Sequence, residues 1–117
     1  MSKSSKPTNK QIIENITPIN ASKLIEKHRN DSNYIILDVR TREEFNEEHI
    51  QDAENLDYYS RDFEKQLRKM DKEKKYLIYC ASGGRGTKAM EMMEELGFME
   101  VYNIKGGFTL WCINNLQ

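Results

Sequence analysis

Cys80 ends an apolar run, YLIYC, and is followed at once by ASGGRGTK. The thiolate is the reactive form of cysteine. It is favoured beside cations and at helix N-termini, where unpaired N–H groups and the helix dipole stabilise negative charge. Both devices lie within reach of this residue. Gly83, Gly84 and Gly86 tolerate positive φ, which lets successive amides turn inward as an anion-binding nest. Arg85 adds a fixed positive charge and Lys88 a second, and a helix is expected to begin near Gly86 or Thr87. Cys80 is therefore the candidate nucleophile, and Ala81, Ser82, Gly83, Gly84, Arg85 and Gly86 form the candidate binding loop. Such a cup of donors suits a thiolate, its persulfide or a bound oxyanion. The plainer reading is a buried strand cysteine before a flexible turn. The conjunction of thiol, spaced glycines, arginine and helix start at one strand end argues against it.

The elements that must position this loop follow from periodicity and caps. Ile12 to Ile16 is a short β-branched run, expected to be a strand. TPINASKLIEKHRN reads as a helix capped by Thr17 or Asn20, with Pro18 tolerated in its first turn. YIILDVR is apolar without alternation and predicts a buried central strand. Thr41 with Glu44 three residues later predicts a capping box and a short helix. AENLD predicts a short strand. YSRDFEKQLRKMDKEKK predicts an amphipathic helix with Phe63, Leu67 and Met70 on one face. Then follow the strand YLIYC, the helix TKAMEMMEELG stopped by Gly97, the strand MEVYNIKGG and a last helix in FTLWCINNL. Strands alternating with helices predict an α/β fold: a central, mostly parallel five-stranded sheet with helices on both faces and right-handed crossovers. Ligands of such sheets bind beyond the carboxyl ends of the strands. Cys80 and Arg40 both fall there.

The chain of 117 residues is long enough for one core and not two. Residues 1–11 are expected to be a flexible polar tail and residues 12–117 a single domain. MSKSSKPTNK has no apolar segment of the kind a secretory signal needs, and no run of the sequence approaches a bilayer span, so no membrane partner is expected. A net charge of −1 lacks the basic footprint of a nucleic-acid binder. The two cysteines, Cys80 and Cys112, give no disulfide framework and point to a reducing, cytoplasmic setting. Two distant histidines and two distant cysteines make no metal cluster, and no cofactor is expected. SGGRGTK lacks the spacing of a phosphate loop.

Three stretches together resemble the rhodanese-like family, over a span from about Ile16 to Trp111. The loop Cys80-Ala81-Ser82-Gly83-Gly84-Arg85 is similar to the family's Cys-x-x-Gly-x-Arg pattern. ILDVRTREEFNEEHIQDAENL is similar to its Asp-x-Arg, Glu-Phe, His-Ile and Ala-x-Asn signature. GFMEVYNIKGGFTLW is similar to its Gly-Phe … Gly-Gly … Trp ending. The resemblance implies a sulfurtransferase working by double displacement. Cys80 would take the sulfane sulfur of a small anionic donor such as thiosulfate, carry it as a persulfide, and pass it to a thiophilic acceptor, a thiol or a protein cysteine. Arg85 would help hold the donor. The chain departs from the family at Glu48, Gln51-Asp52 and Asp57, which alter connecting turns. It also has Gly86 where many members have serine, a lost hydroxyl that Ser82 or Thr87 would partly replace.

Other residues have plainer readings. The resemblance makes Asp38 and Arg40 a pair that ties down the loop after its strand, with Arg40 also a candidate for the mouth of the site. His49 is expected to be satisfied by a loop carbonyl, and His28 to sit near a helix end. Cys112 is expected to pack beside Trp111, a role as a second, resolving thiol being the alternative. Met90 and Met93 are expected in the core with Met92 outermost. Gly106 and Gly107 suggest a tight turn near the site, with a backbone approach to the ligand. Two competing functions remain: a cysteine-dependent phosphatase or arsenate reductase on the same fold, and a non-catalytic interaction module. Phosphatases of the cysteine type place arginine one position further from the thiol, in a wider loop, so the spacing here favours sulfur transfer.

Overall fold

The computed structural model describes residues 10–116. Most of the expected tail, residues 1–9, lies outside them. Gln11 is not part of a free tail: its side-chain amide donates to Glu94 O at 3.0 Å and Phe98 O at 2.8 Å.

Ten elements alternate along the chain: β1 (Ile12–Ile16), α1 (Pro18–Lys27), β2 (Tyr34–Asp38), α2 (Arg42–Glu47), β3 (Glu54–Asn55), α3 (Phe63–Lys69), β4 (Lys75–Tyr79), α4 (Gly84–Glu95), β5 (Glu100–Ile104) and α5 (Gly107–Ile113). The strands form one sheet in the order β1-β5-β4-β2-β3. The expectation was a mostly parallel sheet; all four pairings are parallel.

Two apolar layers cover this sheet. Tyr76, Ile78 and Cys80 of the β4 run face one way, onto Phe63 and Leu67 of α3 and Ala89, Met90 and Met93 of α4. Leu77 and Tyr79 face the other way, onto Ala21 of α1 and Trp111 of α5. A strand covered on both faces has no use for polar alternation, which is why YLIYC and YIILD read as continuous apolar runs. Burial of each such Leu or Ile side chain stabilises the fold by about 1.5–3 kcal/mol.

The caps match the sequence in two places. Thr17, not Asn20, caps α1, its hydroxyl accepting from Asn20 N at 3.2 Å. Thr41 and Glu44 form the expected capping box on α2. Two elements are shorter than expected. Only Glu54 and Asn55 of AENLD pair as strand. Helix α3 covers seven residues, because side-chain turns at Asp57 and Ser60 hold the chain before it and Met70 goes extended after it. Helix α4 starts earlier than expected, at Gly84, with Gly83 as its cap at φ +113°.

The register sets the site. Asp38 pairs with Tyr79, so β2 and β4 end level, and Val39 N donates to Tyr79 O at 2.9 Å. The segments that follow β2, β4 and β5 therefore emerge side by side at the carboxyl edge of the sheet.

Candidate active site

Cys80 directly follows β4 and is 1% exposed. Its sulfur accepts an N–H from Gly83 at 3.0 Å. That contact needs the chain to double back across Ala81 and Ser82, and the left-handed φ of Gly83 then turns it into α4. The carbonyls of the turn point the other way. Phe108 N donates to Cys80 O at 2.8 Å and Thr109 N to Ala81 O at 2.9 Å. In a trans peptide the C=O and the following N–H are opposed, so these two bonds aim the Ala81 and Ser82 N–H groups away from α5. Among the described residues, the amides of Ala81, Ser82, Gly84, Arg85 and Gly86 have no acceptor in the chain. A helix N-terminus leaves such donors free by construction, and they are the means of holding negative charge.

The glycines of the loop are not equivalent. Only Gly83 uses positive φ; Gly84 and Gly86 lie in the first turn of α4. Gly86 is required by a close approach: a Cβ there would stand 2.2 Å from Asn103 Oδ1. Asn103 is buried on β5, with its amide donating to Asn15 Oδ1 at 2.9 Å and Thr87 Oγ1 at 3.4 Å. Asn103 Oδ1 itself has no partner. This packing explains Gly86 where serine is common in the family that the sequence resembles. Nor does Thr87 replace the lost hydroxyl, since its Oγ1 is committed to Gly83 O at 2.8 Å. A Cβ on Gly84 would meet nothing within 4 Å. Gly86→Ala is thus expected to destabilise the fold by about 1–3 kcal/mol through overpacking. Gly84→Ala, two residues away, should stabilise it by about 0.5–1 kcal/mol through helix propensity. Denaturant melts of the two variants should move in opposite directions.

Arg85 is not the free cation that the sequence suggested. Its guanidinium donates to Glu44 Oε1 at 3.0 Å and Oε2 at 3.4 Å, and lies 5.5 Å from the centroid of the Tyr59 ring. Glu44 above all, and Cys80 more weakly, hold the guanidinium above its ordinary pKa. Glu44 Oε1 also accepts from Thr41 N at 2.9 Å and Thr41 Oγ1 at 3.1 Å. The Arg85 hydrogen bond, followed by the Thr41 backbone bond, pulls the Glu44 carboxyl down to about 2, against the opposing effect of burial. The sequence identified Glu44 only as a helix cap. Nothing local reveals its second role, since Arg85 is far along the chain. Lys88, the other expected cation, is exposed and lines a groove between α3 and α4 with Glu64, Arg68 and Glu91.

Arg40 does not open onto the mouth. It is 6% exposed, and the Nε and Nη2 groups of its guanidinium are engaged within the protein. Its Nε and Nη2 donate to Asp38 at 2.8–3.1 Å, Nη2 donates to Glu48 O at 2.6 Å, and the Phe108 ring centroid lies 4.5 Å from its Cζ. Asn55 Nδ2 donates to Asp38 O and Arg40 O, both at 3.0 Å. Asp38 and Arg40 are the fastening of the loop after β2, buried as a pair because either charge alone would be costly there.

The remaining candidates fall outside the loop. His49 is satisfied by Phe45 O at 2.8 Å, as expected in kind, and its ring stacks on Phe45. His28 caps the end of α1 and pairs with Asp31. Met90 and Met93 are buried and Met92 is partly so. Cys112 corrects the sequence reading: it is exposed rather than packed with Trp111, because its position on α5 turns away from the sheet. Gly106 and Gly107 make the expected tight strand-to-helix turn, both at positive φ, and Gly107 packs closely on the Cys80–Ala81 peptides.

An all-parallel sheet, with a buried thiol at the carboxyl end of a central strand and one amide of the following turn on its sulfur, defines a class of α/β domain. The family model for the Rhodanese-like domain matches residues 21–114, and the chain belongs to the rhodanese-like family. It is 34% identical over 96 residues to the thiosulfate sulfurtransferase GlpE of Coxiella burnetii, covering 82% of this chain and 84% of that protein. It is also 37% identical over 93 residues to the tRNA uridine(34) hydroxylase of Pelagibacter ubique, covering 79% of this chain but 30% of that protein. The domain thus occurs in proteins of different named activity. Among solved structures, an uncharacterized protein from Saccharomyces cerevisiae superposes with a TM-score of 0.74 at 28% identity, covering 87% of this chain and 92% of that one. Among the described residues no helix is long and apolar enough to cross a membrane.

Proposed function

We propose that this protein is a sulfurtransferase that carries sulfane sulfur on Cys80. The Cys80 thiolate attacks the outer sulfur of a donor. The bond from that sulfur to the rest of the donor breaks, and its electron pair leaves with the departing group, sulfite in the case of thiosulfate. Cys80 is left as a persulfide anion. In the second step the acceptor attacks the outer sulfur and Cys80 returns as thiolate. No general acid is needed, because the leaving group is already a stable anion. No metal or cofactor takes part. The acceptor is a small thiol or a protein cysteine, and a cytoplasmic setting fits two free thiols.

One observation carries this reading: the Gly83 N–H on the Cys80 sulfur, at the head of a twelve-residue helix whose first amides are unpaired. Donors preorganised around the atom that bears charge throughout the cycle stabilise both the thiolate and its persulfide. The likeness to a named thiosulfate sulfurtransferase supports the same reading. The test sets thiocyanate formation from a sulfane donor and cyanide against hydrolysis of an aryl phosphate. Sulfur transfer without phosphate release is expected. Phosphate release without sulfur transfer assigns the protein to the phosphatase chemistry instead, and inertness in both assays assigns it to a binding role.

A further inference from the structure

Resting on that reading, we propose that Glu44 selects the donor: the site favours organic sulfane donors with at most one negative charge at the reacting end and disfavours the thiosulfate dianion. Arg85 is the one cation that the loop itself contributes, and Glu44 neutralises it through two hydrogen bonds, at 3.0 and 3.4 Å. The carboxylate does not swing aside. Thr41 N and Thr41 Oγ1 hold the same Oε1 at 2.9 and 3.1 Å as part of the α2 capping box. Nor does it become neutral near physiological pH, since its pKa is pulled down to about 2. Lys105 stands in a hollow on the other side of the loop, with Ser82, Gly83 and Gly84, but it is exposed and screened by solvent.

With Arg85 offset, the thiolate meets an incoming donor with only amide dipoles to compensate it. A dianion is repelled by that thiolate about twice as strongly as a monoanion, and Arg85, neutralised by Glu44, offers it no compensating pull. A thiosulfonate brings one negative charge: the thiolate takes its outer sulfur, the S–S bond breaks, and sulfinate leaves with the electron pair. An organic persulfide brings its sulfur with no charge when protonated: the thiolate takes the outer SH sulfur and a thiolate leaves. Either route balances without an added oxidant or reductant.

The experiment measures the rate constant for loading Cys80, by intact mass, from methanethiosulfonate and from thiosulfate, in the unaltered chain and in Glu44→Gln. Glutamine at this position keeps the capping box. At a partly solvated site each unit of donor charge is worth roughly threefold. Glu44→Gln should therefore speed loading about threefold with methanethiosulfonate and about tenfold with thiosulfate. In the unaltered chain, added salt should speed loading by thiosulfate relative to methanethiosulfonate, because it screens a repulsion. Equal factors for the two donors, slower thiosulfate loading in the variant, or a salt effect of the opposite sign would overturn the inference. If neither donor loads the unaltered chain, the sulfurtransferase reading itself fails and this inference falls with it.

Discussion

Cys80→Ser lowers sulfur transfer by at least ~10³-fold while leaving the fold in place. The serine hydroxyl is close in size to the thiol and can still accept the Gly83 N–H, so the turn after β4 keeps its shape. Its oxygen stays protonated at neutral pH and forms no persulfide, so both half-reactions stop. The cost to stability is small, about 1 kcal/mol, for placing a hydroxyl where a buried thiol belongs to the α3–α4 apolar layer. The only other thiol, Cys112, does not substitute for it. It is exposed on α5, and partial burial of its sulfur with the Glu48 carboxylate nearby pushes its pKa above the ordinary thiol value. Thiocyanate formation at saturating donor, read beside a thermal melt, checks the result. A variant that keeps more than a few per cent of the activity would move the chemistry away from Cys80.

The second large effect concerns a residue that touches no substrate. Gly107→Ala should destabilise the protein by about 3 kcal/mol or more and reduce transfer in whatever fraction remains folded. A Cβ at Gly107 would lie 2.4 Å from Cys80 O and 2.6 Å from Ala81 O. Both obstacles are backbone, so no side-chain rotation relieves them. The residue also sits at φ +59°, where a non-glycine residue costs roughly 1–2 kcal/mol. To make room, α5 and the loop must separate. That breaks the bonds from Phe108 N and Thr109 N that turn the Cys80 and Ala81 carbonyls outward. With those carbonyls released, the amides of Ala81 and Ser82 lose their fixed direction. Chemical denaturation gives the first effect and loading of the residual folded protein gives the second. A fully active, equally stable variant would mean that α5 does not aim the loop.

The parts of this arrangement that were legible in the sequence are those written in local pattern. The run YLIYC before SGGRG placed a thiol between a buried strand and a helix start. The strand and helix alternation gave the layer order, and Thr41 with Glu44 announced the head of α2. What stayed hidden depends on distant residues meeting. Arg85 and Glu44 are brought together by the level ends of β2 and β4, and no spacing rule contains that register. The start of α4 was expected too late because glycines normally weaken a helix, while here the first turn draws on packing against β5. The pairing of Arg40 with Asp38 is legible in the sequence, but its exclusion from the mouth is not, because the Glu48 carbonyl and Phe108 ring that enclose it come from later segments. Asn103 did carry a signal that went unread: a lone amide within the buried strand EVYNI. A polar side chain in such a run implies a specific partner, and it is this one that dictates Gly86.

The central claim is that a single sulfur, held by the Gly83 amide at the head of α4, accepts and carries another. Incubation with a sulfane donor followed by intact-mass analysis and peptide mapping tests it directly. The account predicts one added sulfur per chain, located on the peptide that contains Cys80 and removed by cyanide. An unchanged mass, or added sulfur confined to Cys112, would contradict it.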